Sequence, residues 1–318
     1  MQYRPDKGIR LATGSFVEEY NNRVEILYLD KDIQGGKLVS DVSAAFTHPF
    51  PPTQVAFIPD QAGTRPDLLA TSGDHLRIWK ISVEGTRLEK MLHTPNISGR
   101  IEGACAMTCF DWNDLDIRRI STGMTDCSVS IFDIEMAVME TQLMIHDGEV
   151  YDIQWGGNDI LASASADSSV RVLDLRDKEH TTILYEPPNR RHPLIKLAWN
   201  KQDPRFMAIL ESKTPTVSIL DIRYPNTPLV TLHKHVDHAN AVCWAPHSMG
   251  YLCSAADDGQ ALIWDLSKIG TFENRERVIY DPILAYGAGA VINQVKWNSL
   301  HPEWVAICFE NKCQILRV

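Results

Sequence analysis

The sequence predicts an all-β fold, a ring of seven blades forming a single domain over residues 1–318, and three observations carry that reading. First, a register of apolar, any residue, apolar, large apolar and then usually Asp recurs seven times. Its copies end at Asp30, Lys80, Asp133, Asp174, Asp221, Asp265 and Arg317, at intervals of 50, 53, 41, 47, 44 and 52 residues. That period belongs to β-propeller blades. Second, an aromatic closes a short alternating run at Phe57, Trp112, Trp155, Trp199, Trp244 and Trp297. It precedes the large apolar residue of the next copy by 22, 20, 18, 21, 20 and 19 residues, so the core of each repeat is constant in length. Third, a run of small and apolar residues lies between the two signals, as in Leu161-Ala162-Ser163-Ala164-Ser165 and Leu252-Cys253-Ser254-Ala255-Ala256. Such a run reads as a strand buried on both faces.

Each repeat can be taken in order. The aromatic-closed run is an inner strand and the small-residue run the next. An acid then marks a hairpin at Asp74, Asp126, Asp167 and Asp258, and more loosely at Glu211 and Glu310. Asp tolerates turn geometry and accepts hydrogen bonds from nearby backbone N–H groups. The Asp-ending strand follows, and a weaker outer strand such as Thr182-Ile183-Leu184-Tyr185 or Leu229-Val230-Thr231-Leu232 completes four. A blade of this kind cannot cover both faces alone, so its neighbours must. The first repeat has runs at Ile9 to Phe16, Arg23 to Asp30 and Lys37 to Phe46 but no inner strand ahead of them, and the last stops at Val318 without an outer strand. The expectation is therefore 26 strands, against 28 for seven full blades, with a strand or more missing at the N-terminus.

Composition narrows function. Lys and Arg number 31 against 41 Asp and Glu, a net charge of −10, with 44% apolar and 23% charged residues. This is a globular composition, and an acidic surface without a basic block argues against direct nucleic-acid binding. Met1 to Gly8 carries charges and Pro where an export signal would be apolar, and the uncharged run Pro282 to Val295 is too short to span a bilayer. Neither export nor a membrane span is expected. Seven cysteines without framework spacing fit reduced thiols in cytoplasm or nucleus.

Leu262-Ile263-Trp264-Asp265, with Asp258 before it and His235 at the start of the same repeat, resembles a WD-repeat protein. Longer strings are similar to the Transparent Testa Glabra / anthocyanin-eleven type. They include Leu11-Ala12-Thr13-Gly14-Ser15-Phe16-Val17-Glu18-Glu19-Tyr20-Asn21-Asn22, His146-Asp147-Gly148-Glu149-Val150-Tyr151-Asp152-Ile153, Asp174-Leu175-Arg176-Asp177-Lys178-Glu179-His180 and Trp199-Asn200-Lys201-Gln202-Asp203. The resemblance implies a seven-bladed, non-enzymatic and monomeric scaffold without cofactor, present in cytoplasm and nucleus. It also implies partners: MYB and basic helix-loop-helix transcription factors, dual-specificity tyrosine-regulated (DYRK-type) kinases, or the adaptor of cullin-four ubiquitin ligases. Relatives of that type begin with extra residues that carry the inner strand missing here.

Two sets of residues contain the types of a nucleophilic triad: His146, Ser163 and Asp167, and His235, Ser254 and Asp258. The resemblance assigns them instead to a structural hydrogen-bond network, which Trp264 completes in the second set and Leu173 leaves short in the first. His233, His235 and His238 suggest zinc, but they lack Cys or carboxylate support. Cys105 and Cys109 lack the second pair of a zinc site and read as buried thiols; Cys308 and Cys313 fall on neighbouring strands and are expected to face each other as reduced thiols. Gly35-Gly36-Lys37 reads as a turn and not a phosphate loop, and Asn96-Ile97-Ser98 as a glycosylation sequon without consequence inside a cell. Arg176 in Asp174-Leu175-Arg176 and Arg223 in Asp221-Ile222-Arg223 resemble the Asp-x-Arg box of cullin-four substrate receptors. They are the expected partner-binding residues, with a neighbouring loop as the alternative taker of each guanidinium.

Overall fold

The computed structural model describes all residues except 5–7, 18–20, 31–36, 61, 95–104, 188–191 and 270–276. Glu18 to Tyr20, Gly35-Gly36 and Asn96-Ile97-Ser98 therefore lie outside the described residues. The strands form seven sheets in a seven-bladed β-propeller arrangement, and no described residue is in an α-helix. No helix among them is long and apolar enough to cross a membrane.

The chain divides into two compact units, Met1–Asn158 and Asp159–Val318. In the first unit, sheet one runs β1 (Gln2–Arg4), β2 (Gly8–Gly14), β3 (Asn22–Asp30), β4 (Lys37–Ser40), with β5 (Phe46–His48) also on β3. Sheet two is β6 (Gln54–Phe57), β7 (Leu68–Ser72), β8 (Leu76–Ser82) and β9 (Gly85–Leu92). Sheet three is β10 (Met107–Trp112), β11 (Arg119–Met124), β12 (Ser128–Asp133) and β13 (Val138–Met144); β14 (Val150–Trp155) is the unit's last strand.

The second unit opens with β15 (Ile160–Ser165), β16 (Val170–Asp174) and β17 (Asp177–Tyr185). Sheet five follows as β18 (Leu194–Trp199), β19 (Phe206–Glu211), β20 (Val217–Asp221) and β21 (Val230–Leu232). Sheet six is β22 (Ala239–Trp244), β23 (Tyr251–Ala256) and β24 (Gln260–Asp265). The chain then returns to sheet five, where β25 (Arg277–Ile279) pairs parallel to β21, before β26 (Leu284–Gly287) completes sheet six on β24. Sheet seven is β27 (Ile292–Trp297), β28 (Trp304–Phe309) and β29 (Lys312–Arg317).

Three features correct the sequence reading. The first sheet does have an inner strand: β1 pairs antiparallel with β2, Gln2 opposite Arg10. Three residues are too few for any periodicity to announce them. The expected outer strand from Lys37 to Phe46 is two pieces, because Asp41 Oδ1 accepts from the N–H of Ser43 at 3.0 Å and turns the chain between β4 and β5. With β25 as well, 29 strands are present among the described residues where 26 were expected. The seventh sheet has three strands, as the sequence predicts.

The repeats place their core between consecutive sheets. Within the first unit, Ile58, Ala70 and Ile78 of the second repeat meet Met107, Phe110, Ile120 and Phe132 of the third. Within the second, Phe206, Ala208 and Ile219 pack with Trp244, Leu252 and Trp264. The second strands β11, β15 and β23 are buried on both faces after their first residue, which is why they are built of small residues. At Gly123 a Cβ would sit 2.6 Å from both Cys109 Sγ and Val150 Cγ1, so sheet three and β14 approach too closely for any side chain there.

The closing aromatics have a specific task. Trp112 and Trp199 donate their indole N–H to the carbonyls of Ile117 and Pro204 at 2.7 and 2.8 Å, locking the turn after each inner strand. The following Asn113 and Asn200 accept two turn N–H groups through Oδ1 and donate through Nδ2 to the carbonyls of Asn158 and Met249. The hairpin acids behave as their chemistry predicts: Asp126, Asp167 and Asp258 each accept the N–H two residues on, at 2.9–3.0 Å. The left-handed backbone falls on the residue after each acid, at Cys127, Ser168 and Gly259.

Candidate functional site

The His235 set is assembled by three consecutive elements of sheet six. His235 lies on the approach to β22, Ser254 on β23, Asp258 in the hairpin and Trp264 on β24. His235 Nδ1 donates to Asp258 Oδ2 at 3.0 Å, and its Nε2 lies 2.7 Å from Ser254 Oγ. Trp264 Nε1 donates to the same Oγ at 2.9 Å. One proton arrangement satisfies every atom: the indole N–H gives to Ser254, the hydroxyl gives to Nε2, and Nδ1–H gives to the carboxylate. Asp258 also takes the N–H groups of Val236 and Gln260.

This order of residues mimics a catalytic triad, but its burial does not suit one. Ser254 has no exposed surface and Trp264 only 1%, so a reacting carbonyl has no approach to the hydroxyl. Burial pushes the His235 pKa below its ordinary value, against the opposing pull of Asp258, and the ring stays neutral. The arrangement is structural mortar.

A second network of the same kind escaped sequence reading. Trp79 Nε1 donates to Thr71 Oγ1 at 2.9 Å, and Thr71 Oγ1 lies 3.1 Å from His48 Nε2. His48 Nδ1 is satisfied by the Phe50 carbonyl, while Asp74 pairs with Arg77. The signal was present: His48 precedes Thr71 by 23 residues and Thr71 precedes Trp79 by 8, against 19 and 10 in the His235 set. Burial lowers the His48 pKa too. Both rings therefore enter the folded state neutral, whereas an unfolded histidine titrates near 6.5, so protons favour the unfolded chain below that pH. The urea midpoint is expected to be flat above pH 7 and to fall between pH 6.5 and 5, with a smaller fall in His235→Gln. A midpoint unchanged over that window contradicts the assignment.

His146 belongs to the first unit, and Ser163 and Asp167 to the second. His146 and Ser163 are buried, and Asp167 Oδ1 accepts from Ser169 Oγ at 2.7 Å. The three clustered histidines separate: His235 joins its network, His233 rests against Tyr280 at 5.7 Å, and His238 lies 3.5 and 3.4 Å from Asp237 and Asp257. Cys105 and Cys109 are buried, and burial with Asp126 holds the Cys105 thiol above its usual range. Cys308 and Cys313 do face each other, with Sγ atoms 3.1 Å apart.

Arg176 and Arg223 stand at the ends of the third strands of their repeats, and each closes on its own aspartate. Arg176 donates through N and Nε to Asp174 Oδ1 at 3.0 and 2.8 Å; Arg223 does the same to Asp221 Oδ1 at 3.0 and 2.9 Å. The NH2 of each guanidinium takes the other carboxylate oxygen. The taker is thus the box's own acid and not a neighbouring loop. Arg176 holds the half-buried Asp174 carboxyl at about 2, and Arg223 lowers that of Asp221 although burial alone would raise it. Both side chains remain open, at 70% and 48% exposure. Two further forks of the same form, Arg118 on Asp116 and Arg205 on Asp203, lie in the turns between first and second strands.

Seven four-strand-type repeats, with an indole–hydroxyl–imidazole–carboxylate chain in the sixth, define a WD-repeat propeller protein, a class whose members are generally non-enzymatic scaffolds. The WD domain, G-beta repeat family matches residues 226–265, the stretch that holds all four members of the His235 chain. Over 317 residues the sequence is 43% identical to the DDB1- and CUL4-associated factor 7 homolog of Dictyostelium discoideum, covering 99% of this chain and 93% of that protein. The chain belongs to the family of that protein. It is also 31% identical to an uncharacterized WD repeat-containing protein of Schizosaccharomyces pombe and 29% identical to a WD repeat-containing protein of Saccharomyces cerevisiae. Each match covers 81% of this chain, and 64% and 54% of the respective relative.

Proposed function

We propose that this chain is a non-enzymatic, monomeric scaffold that holds protein partners on its exposed loops and raises their effective concentration for one another. The observation that carries the reading is a contrast in burial: the His235 set, which resembles chemistry, is sealed, while the Arg176 and Arg223 forks stand in solvent. Likeness to the Transparent Testa Glabra / anthocyanin-eleven type supports MYB and basic helix-loop-helix factors or DYRK-type kinases as partners, in cytoplasm and nucleus. The name of the Dictyostelium relative supports a second reading, a substrate receptor docked on DDB1, the cullin-four adaptor.

Each Arg fork spends two of its side-chain N–H groups on its own aspartate, which presets its direction and leaves others for a partner's carboxylate or carbonyl. The double variant Arg176→Ala/Arg223→Ala tests both readings in one pull-down. Loss of DDB1 with transcription-factor or kinase binding intact supports the receptor reading for that face. Retention of every partner removes the forks from the interface, and loss of every partner from a folded variant contradicts a scaffold with separate docking sites.

A further inference from the structure

The terminal hairpin brings two thiols together in a way that none of the functions above uses. Phe309 and Lys312 flank the two-residue turn Glu310-Asn311, and Cys308 lies directly opposite Cys313 one step further along. In such a hairpin the flanking pair exchanges the backbone hydrogen bonds. The next pair is non-hydrogen-bonded, with Cα atoms about 4.5 Å apart and side chains on the same face. That spacing lies within the range a disulfide spans, and the Sγ–Sγ separation of 3.1 Å exceeds a disulfide bond by about 1 Å. Both residues are half-buried, so an oxidant can reach them.

We propose that Cys308 and Cys313 form a covalent modification site, a dithiol that a peroxide closes to a disulfide and a thiol reductant reopens. Either S–H can donate to the other sulfur across the 3.1 Å contact, and the step is written with Cys308 attacking. Their shared hydrogen bond pulls the Cys308 thiol below its usual value and pushes Cys313 up. The Cys308 thiolate attacks one peroxide oxygen and breaks the O–O bond, giving a sulfenic acid and releasing hydroxide, which takes up a proton to leave as water. The Cys313 thiol then attacks that sulfur, the S–S bond forms, and the hydroxyl leaves with the Cys313 proton as a second water. Two thiols are oxidised by two electrons and one hydrogen peroxide is reduced to two waters.

The sixth sheet supplies an internal control. Cys243 and Cys253 are also cross-strand partners, on β22 and β23, but Cys253 is 2% exposed and belongs to the core. Trypsin cleaves after Lys312, between the two terminal cysteines, so their peptides stay joined only through a disulfide. The folded full-length chain is treated with hydrogen peroxide, alkylated, digested and analysed by mass spectrometry. The expected result is the joined peptide pair, lighter by two hydrogens and lost on reduction, with Cys243 and Cys253 recovered as thiols. Cys313→Ser is expected to leave Cys308 as a sulfenic acid that dimedone labels, and neither single variant to give the joined pair. Recovery of both terminal cysteines as free thiols, under a dose that oxidises glutathione, would overturn the proposal. So would their linkage to other cysteines.

Discussion

Asp67→Ala is expected to lower the unfolding free energy by about 3–5 kcal/mol, the cost of leaving a buried charge without its partner. Arg10 on β2 has no exposed surface, and its guanidinium donates to both Asp67 oxygens, to Oδ2 at 2.6 Å. Gln2 on β1 accepts from Arg10 Nε at 3.1 Å and donates to the Ile58 carbonyl at 2.7 Å, so one ion pair ties the first strand to the second repeat. The Arg10 guanidinium also lies over the Phe57 ring at 4.2 Å. Without the carboxylate, the cation keeps the Gln2 oxygen, the Phe57 ring and the Tyr28 side chain, none of which carries a compensating full charge. Urea unfolding of Asp67→Ala, Arg10→Met and the double variant Arg10→Met/Asp67→Ala checks this. The double variant is expected to lose less than the sum of the single losses, since neither charge is then stranded. Additive losses, or an Asp67→Ala midpoint equal to wild type, would show that the pair is not coupled.

The second large effect is expected at His235. His235→Ala removes the central member of the chain, opens a cavity and leaves the Ser254 hydroxyl without its acceptor. Those losses together come to about 3 kcal/mol. Trp264→Phe deletes the donor and leaves a void because phenyl is smaller than the buried indole, so about 1–3 kcal/mol is expected. His48→Ala should cost less than His235→Ala, because His48 Nδ1 meets a neutral carbonyl where His235 meets a carboxylate. Thermal and urea unfolding of the three variants rank them. Equal losses at His48 and His235 would remove the carboxylate's special part, and a stable His235→Ala would deny that the network holds the blade.

Much of this protein was legible from residue patterns, and what was not has identifiable causes. The seven-fold register is a record of local burial: each Asp-ending strand and each small-residue strand writes its own faces into the chain. The His235 chain was legible because its four members are each the residue the pattern calls for. The His48 chain was not, since Thr71 takes the hydroxyl's place and Arg77 diverts Asp74. The Asp174 and Asp221 boxes were visible as motifs, while the equivalent forks at Asp116 and Asp203 sit in turns where the strand register does not point.

Repeat number and length, buried strands and hairpin acids all follow from neighbours within a few residues, so the order of residues alone settles them. The parallel join of β25 to β21, the interruption between β4 and β5 and the pairing of the three-residue β1 depend on which distant backbone groups meet. So does the destination of each side-chain proton: Arg176 to its own acid, Cys308 against Cys313, Arg10 to Asp67. A hydrogen bond is satisfied by whatever acceptor lies within reach, and reach across dozens of residues exists only after the sheets have packed.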